Sequence, residues 1–493
     1  MKNITKYALM ALLIISANKI NAQSSQENDS IISVELDEVV VSTPFKESVK
    51  NNVLNVKKLN LNNLNYIKRL NFSDAIQEIP GISIISTGPG ISKPVIRGLS
   101  SNRITVFNQF MRVENQQWGA EHGMEISGFG VGSVEVIKGP MSVLYGSDAI
   151  GGVIFVNPDS YYSGEGTEIE LGTIYNSNYQ GLTTNLGIKG ASNKLSYLVQ
   201  ASLVDNKDFN TPDSEIENTY FKNSDLKFGL GYTSDNFISD LRINVNDSEI
   251  GIPPGEEEHD DHDDHDDDDD HDDDDHEEEH DEHEEEKSYQ DLTNTMISWK
   301  NRFLFNNKSE IEFTLGFSSN KRKEFGHHEE EGHDDHDDDD DHDDHDEHGE
   351  GPALDMDLET TTFDIKYIFP KTEKLELIFG ANVLSQTNTN HGEEELIPDA
   401  DKKDFGVYAM SHIHTSKWDV LIGLRTDNRK ITTSSFDKNY NSFTSSLGFK
   451  RDFSENKIFR LNFQMVIERL IFQSYFPMEF ITELLNMKLE IVI

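Results

Sequence analysis

From about residue 165 onward, apolar and polar residues alternate in segments of roughly ten, the period-2 signature of strands with one apolar and one polar face. Glu168–Thr173, Leu195–Leu203, Leu226–Tyr232, Phe237–Val245, Ile311–Phe317, Thr361–Ile368, Leu375–Val383, Phe405–His412 and Trp418–Leu424 all carry it. Counting such segments predicts about 13 strands before the end of the chain. Short polar turns at Gly190–Lys194, Thr233–Asn236, Asn306–Lys308, Pro370–Lys374, His414–Lys417 and Ser454–Lys457 alternate with longer connections at 206–222, 249–288, 320–356, 386–402 and 426–441. Outer-membrane barrels have short turns on the periplasmic side and long loops outside. The pattern therefore predicts an antiparallel transmembrane β-barrel over residues 158–463. Upstream, residues 36–157 are rich in Val, Ile and Gly without this regular alternation, and read as a small mixed α/β domain ending in a composition shift near Asn157.

The N-terminus reads as a signal peptide over residues 1–22. Lys2 and Lys6 give a positive start, Ala8 to Ala17 is an apolar run too short to span a bilayer, and Ala22 offers a small residue before a cut at Gln23. Residues 23–39 then form a polar leader. Export followed by strand-built membrane insertion places the protein in the outer membrane, with its lipid as a partner.

Charge changes this picture in two places. The 493 residues carry a formal net charge of −48, which argues against a nucleic-acid partner. Residues 256–286 hold 24 acidic side chains and 7 His, and residues 327–350 hold 15 acidic side chains and 7 His. Without those inserts the balance is 52 acidic against 43 basic residues, which is ordinary. The inserts fall in consecutive long connections, so both should face outward and lie close together. Their histidines are His259, His262, His265, His271, His276, His280 and His283, then His327, His328, His333, His336, His342, His345 and His348. Imidazole mixed with carboxylate suits divalent transition ions, zinc first, whereas pure carboxylate runs favour calcium. Such segments have almost nothing to bury, so each single site is weak and the loops act as collectors. Dense negative charge concentrates cations and raises neighbouring His pKa values, so capture should weaken in mild acid. The rival readings are a solvated acidic face, or calcium-dependent stiffening of the surface. The chain has no cysteine, which excludes thiolate metal sites and disulfides. No Ser/His/Asp set stands out, so no enzyme and no resident cofactor are expected.

Four ordered motifs carry a family resemblance. Leu36-Asp37-Glu38-Val39-Val40-Val41-Ser42, Asp74–Ile82 with its Ile79-Pro80-Gly81, Pro94–Leu99 with its Ile96-Arg97-Gly98, and Val134–Pro140 followed by Leu144–Ile154 resemble the plug domain of TonB-dependent outer-membrane receptors. The resemblance implies a plug over 40–157 and a TonB box over 36–42. Asp37, Glu38, Val39, Val40 and Val41 would then contact TonB, which transmits the inner-membrane proton-motive force. A short extended apolar run of this kind can pair with a partner's sheet edge. Within the plug, Glu121 and His122 offer a carboxylate and an imidazole, and the metal-linked branch of the family implies a ligand role for such a pair. The implied function is TonB-dependent uptake of a divalent transition-metal ion. The alternatives are a receptor for a metal chelate such as haem or a siderophore, and a surface metal buffer without transport.

The end of the chain breaks pattern. The last regular strand is expected to stop near Phe463, and residues 465–493 are apolar without a strand period or a capped helical stripe. Back-translated and read one base earlier, they yield a stretch resembling the family. Residues 464–493 are therefore expected to be an out-of-frame tail that docks nowhere. The barrel is expected to be incomplete beside the family's 22-stranded relatives and unable to form a working pore alone.

Overall fold

The computed structural model describes residues 42–43, 45, 48, 50–61, 72–88, 90–115, 122–138, 142–146, 148–253, 287–326, 351–454, 457–468 and 484–492. Residues Glu38–Ile493 form one compact unit. The signal peptide, the leader and the TonB-box residues Asp37–Val41 lie outside the described residues.

The N-terminal domain runs β1 (Asn55–Asn60), α1 (Phe72–Ile76), β2 (Ile82–Gly88), β3 (Ile91–Ile96), β4 (Ile104–Asn108), β5 (Met111–Val113), β6 (Val131–Lys138), α2 (Ser142–Tyr145) and β7 (Gly152–Pro158). Five strands make one mixed sheet in the order β1-β6-β7-β4-β5, with β4 and β7 parallel, and β2-β3 is a separate hairpin. Ile76, Ile96, Ile104, Val134, Val136 and Ile154 are buried together at its centre. β6 and β7 are buried almost throughout because they are covered on both faces, Glu135 and Lys138 included. The Gly151-Gly152 turn is a close approach: a Cβ on Gly151 would stand 2.6 Å from the Arg103 carbonyl oxygen, which the Gly151 N–H already meets at 2.7 Å.

Around this domain runs an antiparallel wall. Its strands are β8 (Gly166–Asn176), β9 (Gly181–Ser192), β10 (Leu195–Asn206), then β13 (Phe221–Thr233), β14 (Phe237–Gly251), β15 (Tyr289–Leu304), β16 (Glu310–Phe325), β17 (Leu354–Ile368), β18 (Leu375–Asn390), β19 (Ala400–His414), β20 (Asp419–Thr433), β21 (Asp437–Ser454), β22 (Lys457–Glu468) and β23 (Leu484–Val492). A two-residue hairpin, β11 (Phe209–Asn210) with β12 (Glu215–Ile216), occupies the β10–β13 connection. Each wall strand pairs with its chain neighbour, and β8 and β23 are the two open edges among the described residues.

The polarity of this wall is inverted relative to a water-soluble sheet. In β13, Leu226, Phe228 and Leu230 are exposed on the outer face while Asp225 and Lys227 are buried inside. Outward apolar and inward polar alternation is what hydrocarbon outside and a polar lumen inside require. Near the short-turn end, aromatic rings form a contact chain: Phe237 with Phe303 at 4.7 Å, Tyr367 with Phe369 at 4.7 Å, and Phe369 with Phe379 at 5.6 Å. Such rings sit at the membrane–water interface.

The expected turns at 190–194, 233–236, 306–308, 370–374, 414–417 and 454–457 all fall between paired strands. Three expectations need correction. Strands β14 to β21 run 15 to 18 residues rather than about ten, because ladder pairing continues beyond the stretch where outward residues are apolar. The connection expected to be long at 426–441 is a three-residue turn, closed by Thr433 and Phe436 through a 2.8 Å backbone bond. The tail does not leave the sheet at Phe463. β22 continues to Glu468, and Leu484–Val492 pairs antiparallel with it, Met465 standing opposite Met487. Within it Leu485, Met487, Leu489 and Ile491 alternate with Asn486, Lys488 and Glu490, a strand period that suits addition to a free edge.

Candidate functional site

The two acidic inserts are rooted side by side. Gly251 and Tyr289, which bracket the first, are register partners, and Tyr289 in turn faces Phe325 at the root of the second. The Tyr289 and Phe325 rings stack at 4.6 Å, tying the two roots together. Glu324 pairs with Leu354, so β14 to β17 carry both inserts at one end of the wall, opposite the short turns. The fourteen insert histidines, His259 to His283 and His327 to His348, lie outside the described residues, as does Glu121.

His122 is described, and it is buried directly below those roots. Its Nε2 lies 2.9 Å from Glu324 Oε1, a contact between the N-terminal domain and the wall. Glu324 is three residues before His327, where the second insert begins. Burial pushes the His122 pKa below 6.5, and nearby Arg322 adds to this, although the Glu324 hydrogen bond opposes it. A buried imidazole kept neutral carries one proton, here on the Nε2 that donates to Glu324, and a cation held between the two would take that proton's place. The partner that the fold supplies for His122 is therefore Glu324.

Beneath this pair sits a polar knot. Arg322 is fully buried; it donates to Gln290 Oε1 at 2.8 Å and to the Glu125 carboxylate. Glu125 also accepts from Asn115 at 3.0 Å, Asn294 at 2.7 Å and Asn320 at 2.8 Å. Four donors from two domains on one carboxylate fix its position, and they compensate a charge that burial would otherwise penalise. A second knot lies further round the wall. Asp148 accepts from Arg112 at 2.5 Å and from Arg429 at 2.7 Å, while Glu114 meets Arg112 and Lys402. Burial alone would raise the Glu114 carboxyl, but Arg112 and Lys402 hold it down at about 2.

Residues 48–153 match the model of the TonB-dependent receptor plug domain. That segment is a TonB-dependent receptor plug domain. The plug stands within an antiparallel wall whose apolar face points outward, and the protein belongs in the outer membrane. A vitamin B12 transporter BtuB of Vibrio vulnificus is 32% identical over 168 residues, covering 33% of this chain and 26% of that one. An iron-regulated outer membrane virulence protein of Vibrio cholerae is 29% identical over 151 residues, 28% of this chain and 22% of that one. The chain thus spans about a quarter of those relatives' length. Among solved structures, the copper transporter OprC superposes with a TM-score of 0.62 at 13% identity, covering 85% of this chain and 65% of that one. The FrpB iron transporter of Neisseria meningitidis superposes with a TM-score of 0.63 at 13% identity, covering 83% and 63%. These last two likenesses concern the receptor fold.

Sequence reasoning singled out His122 and gave it Glu121 as a neighbour. It missed Glu324, the partner in space. The available signal was its position at the inward-facing end of the strand that feeds the second insert.

Proposed function

We propose that the receptor takes up a divalent transition-metal ion, zinc first, across the outer membrane. The His- and acid-rich inserts collect the ion, and His122 with Glu324 receives it at the top of the plug. TonB, engaging residues Asp37–Val41 by strand addition, supplies the energy that opens the path. The observation that carries this reading is the buried, neutral imidazole beside a carboxylate at the root of an insert with seven histidines. An imidazole nitrogen and a carboxylate oxygen are both ordinary ligands of zinc, and the imidazole favours it over calcium or magnesium.

A second reading is uptake of a metal chelate. It is favoured by a cavity between plug and wall, along which Arg112, Lys300, Lys366, Arg425 and Arg429 lie beside Glu312, Asp364, Asp404 and Asp427. A chelate with polar groups of both signs would suit that lining. One experiment separates the two. A strain deleted for the gene is grown on limiting zinc, limiting nickel, or iron and cobalt supplied only as chelates. A zinc defect restored by the wild-type gene and not by His122→Ala supports ion uptake. A defect confined to chelated metal overturns it.

A further inference from the structure

We infer that Glu376, His412 and His414 form a second site for a divalent transition-metal ion, on the inner wall at its short-turn end. The inference rests on the reading of a metal cargo. The three side chains offer ligand atoms that all lie within 4.8 Å of one another, and no other such group of three occurs among the described residues. They come from adjacent strands in register: Glu376 of β18 faces His412 of β19, and His414 follows two residues on, along the same face. Two of the four histidines outside the inserts are thus stacked on one inward row, with ring centroids 4.1 Å apart.

The surroundings are those of a ligand set with its outer support in place. His414 Nδ1 lies 2.9 Å from Asp419 Oδ1, and Nε2 lies 3.0 Å from Glu376 Oε1. A carboxylate on one ring nitrogen fixes the tautomer and turns the other nitrogen's lone pair toward the metal, as in most protein zinc sites. Two ligands bound tetrahedrally to one zinc at ordinary distances stand roughly 3.4 Å apart, so this nitrogen and oxygen need only separate slightly. Lys371 also reaches Glu376 Oε1, at 2.6 Å, and competes for it. Its side chain is 62% exposed, so it can swing away into solvent as a cation arrives.

The plug covers this site. Phe45 packs its ring 5.4 Å from that of His412. In sequence, Phe45 follows Val41 by four residues, so a pull on the TonB box would act on Phe45 before the plug core. The site would thereby become accessible as the plug's leading segment moves, and an ion leaving the plug would be held at the exit before release.

The test is zinc-edge anomalous scattering from crystals of the full chain in detergent, grown with zinc. The expected result is a peak bonded to Glu376, His412 and His414. It should vanish in His414→Ala, weaken in Asp419→Asn and persist in Lys371→Ala. A peak at His122 and Glu324 with none at the trio overturns this inference and leaves the upper site standing. A peak at the trio alone overturns the upper site and leaves this one. The wild-type map decides by itself, so a variant that fails to fold costs the test nothing. If the trio is only an ion-pair knot, the wild-type crystals show no zinc there.

Discussion

The plug touches the wall in two different ways at its two ends. Toward the short turns, Phe45, Val53, Leu54 and Val56 pack against Ile378, Met410 and Leu421 in a buried apolar collar. Toward the inserts, Ile91 makes a small apolar contact with Ile250 and Leu292, and the rest is made by His122 with Glu324, Glu125 with Arg322, Glu114 with Lys402 and Asp148 with Arg429. Apolar contact is non-directional and tolerates small shifts. Paired buried charges hold only while both partners stay in place, and each is expensive to strand. The collar is thus suited to sealing. The upper network is suited to being rearranged by a cation that competes for its carboxylates and imidazole.

Four experiments bear on this contrast. The largest effect is expected from Val40→Pro in a full-length gene with the reading frame restored, which should abolish uptake while leaving zinc binding at the upper end unchanged, because proline removes a backbone donor from a pairing strand. Radioactive zinc uptake by cells, set against zinc bound at zero energy, measures both; unchanged uptake would show that TonB engages elsewhere. Next is Asp148→Ala, which leaves two buried guanidinium groups, Arg112 and Arg429, without their shared carboxylate. Breaking a buried pair costs about 3–5 kcal/mol. Proteolysis of the plug at rising urea concentration should show it released earlier. Leu54→Ala should cost about 2–5 kcal/mol by opening a cavity in the collar.

The smallest effect concerns pH. His122 has its pKa lowered on folding, so the unfolded chain binds the proton more readily than the native one. Its contribution is present above the ordinary value of 6.5 and is lost as pH falls through the lowered native value. Hydrogen-exchange protection factors at residues 122–126, corrected for the slower intrinsic exchange in acid, should therefore fall between pH 7.5 and 5.5 while those of residues 53–56 are unaffected. His122→Gln should remove the fall; an equal fall in both segments would refute the division between the two ends.

The wall was legible because lipid on one side and a filled lumen on the other impose a period-2 pattern that survives in a single sequence, as in Leu226, Phe228 and Leu230. Where that pattern ends, legibility ends too. Arg429 and Lys430 read as loop at 426–441, yet they sit in a ladder that extends beyond the membrane. The last strand was misjudged for a different reason: Leu485, Met487, Leu489 and Ile491 alternate with Asn486, Lys488 and Glu490, but this short run is set in a segment whose other apolar residues follow no period. At the site, composition drew attention to the fourteen insert histidines. The chemistry among described residues instead involves His122, His412 and His414. Their partners Glu324 and Glu376 lie 202 and 36–38 residues away, and only strand register brings them together. The spacing of His412 and His414 on an alternating segment was the one local hint that both would point inward.

The alternation that turns the wall inside out also bears on how such a chain reaches its destination. A protein bound for the outer membrane must first pass the inner one, whose insertion machinery retains continuous apolar stretches of about 20 residues. In β13 every outward Leu or Phe is flanked by inward Asp, Lys or Gly, so the same residues that face lipid in the finished wall are diluted by half in the extended chain. Read linearly, the segment is too polar to be stopped. Only when neighbouring strands align do Leu226, Phe228 and Leu230 join Leu203 and Val199 into a continuous apolar surface. Hydrophobicity here is a property of the assembled sheet and stays hidden during transit, so pairing itself is the step that commits the protein to a membrane.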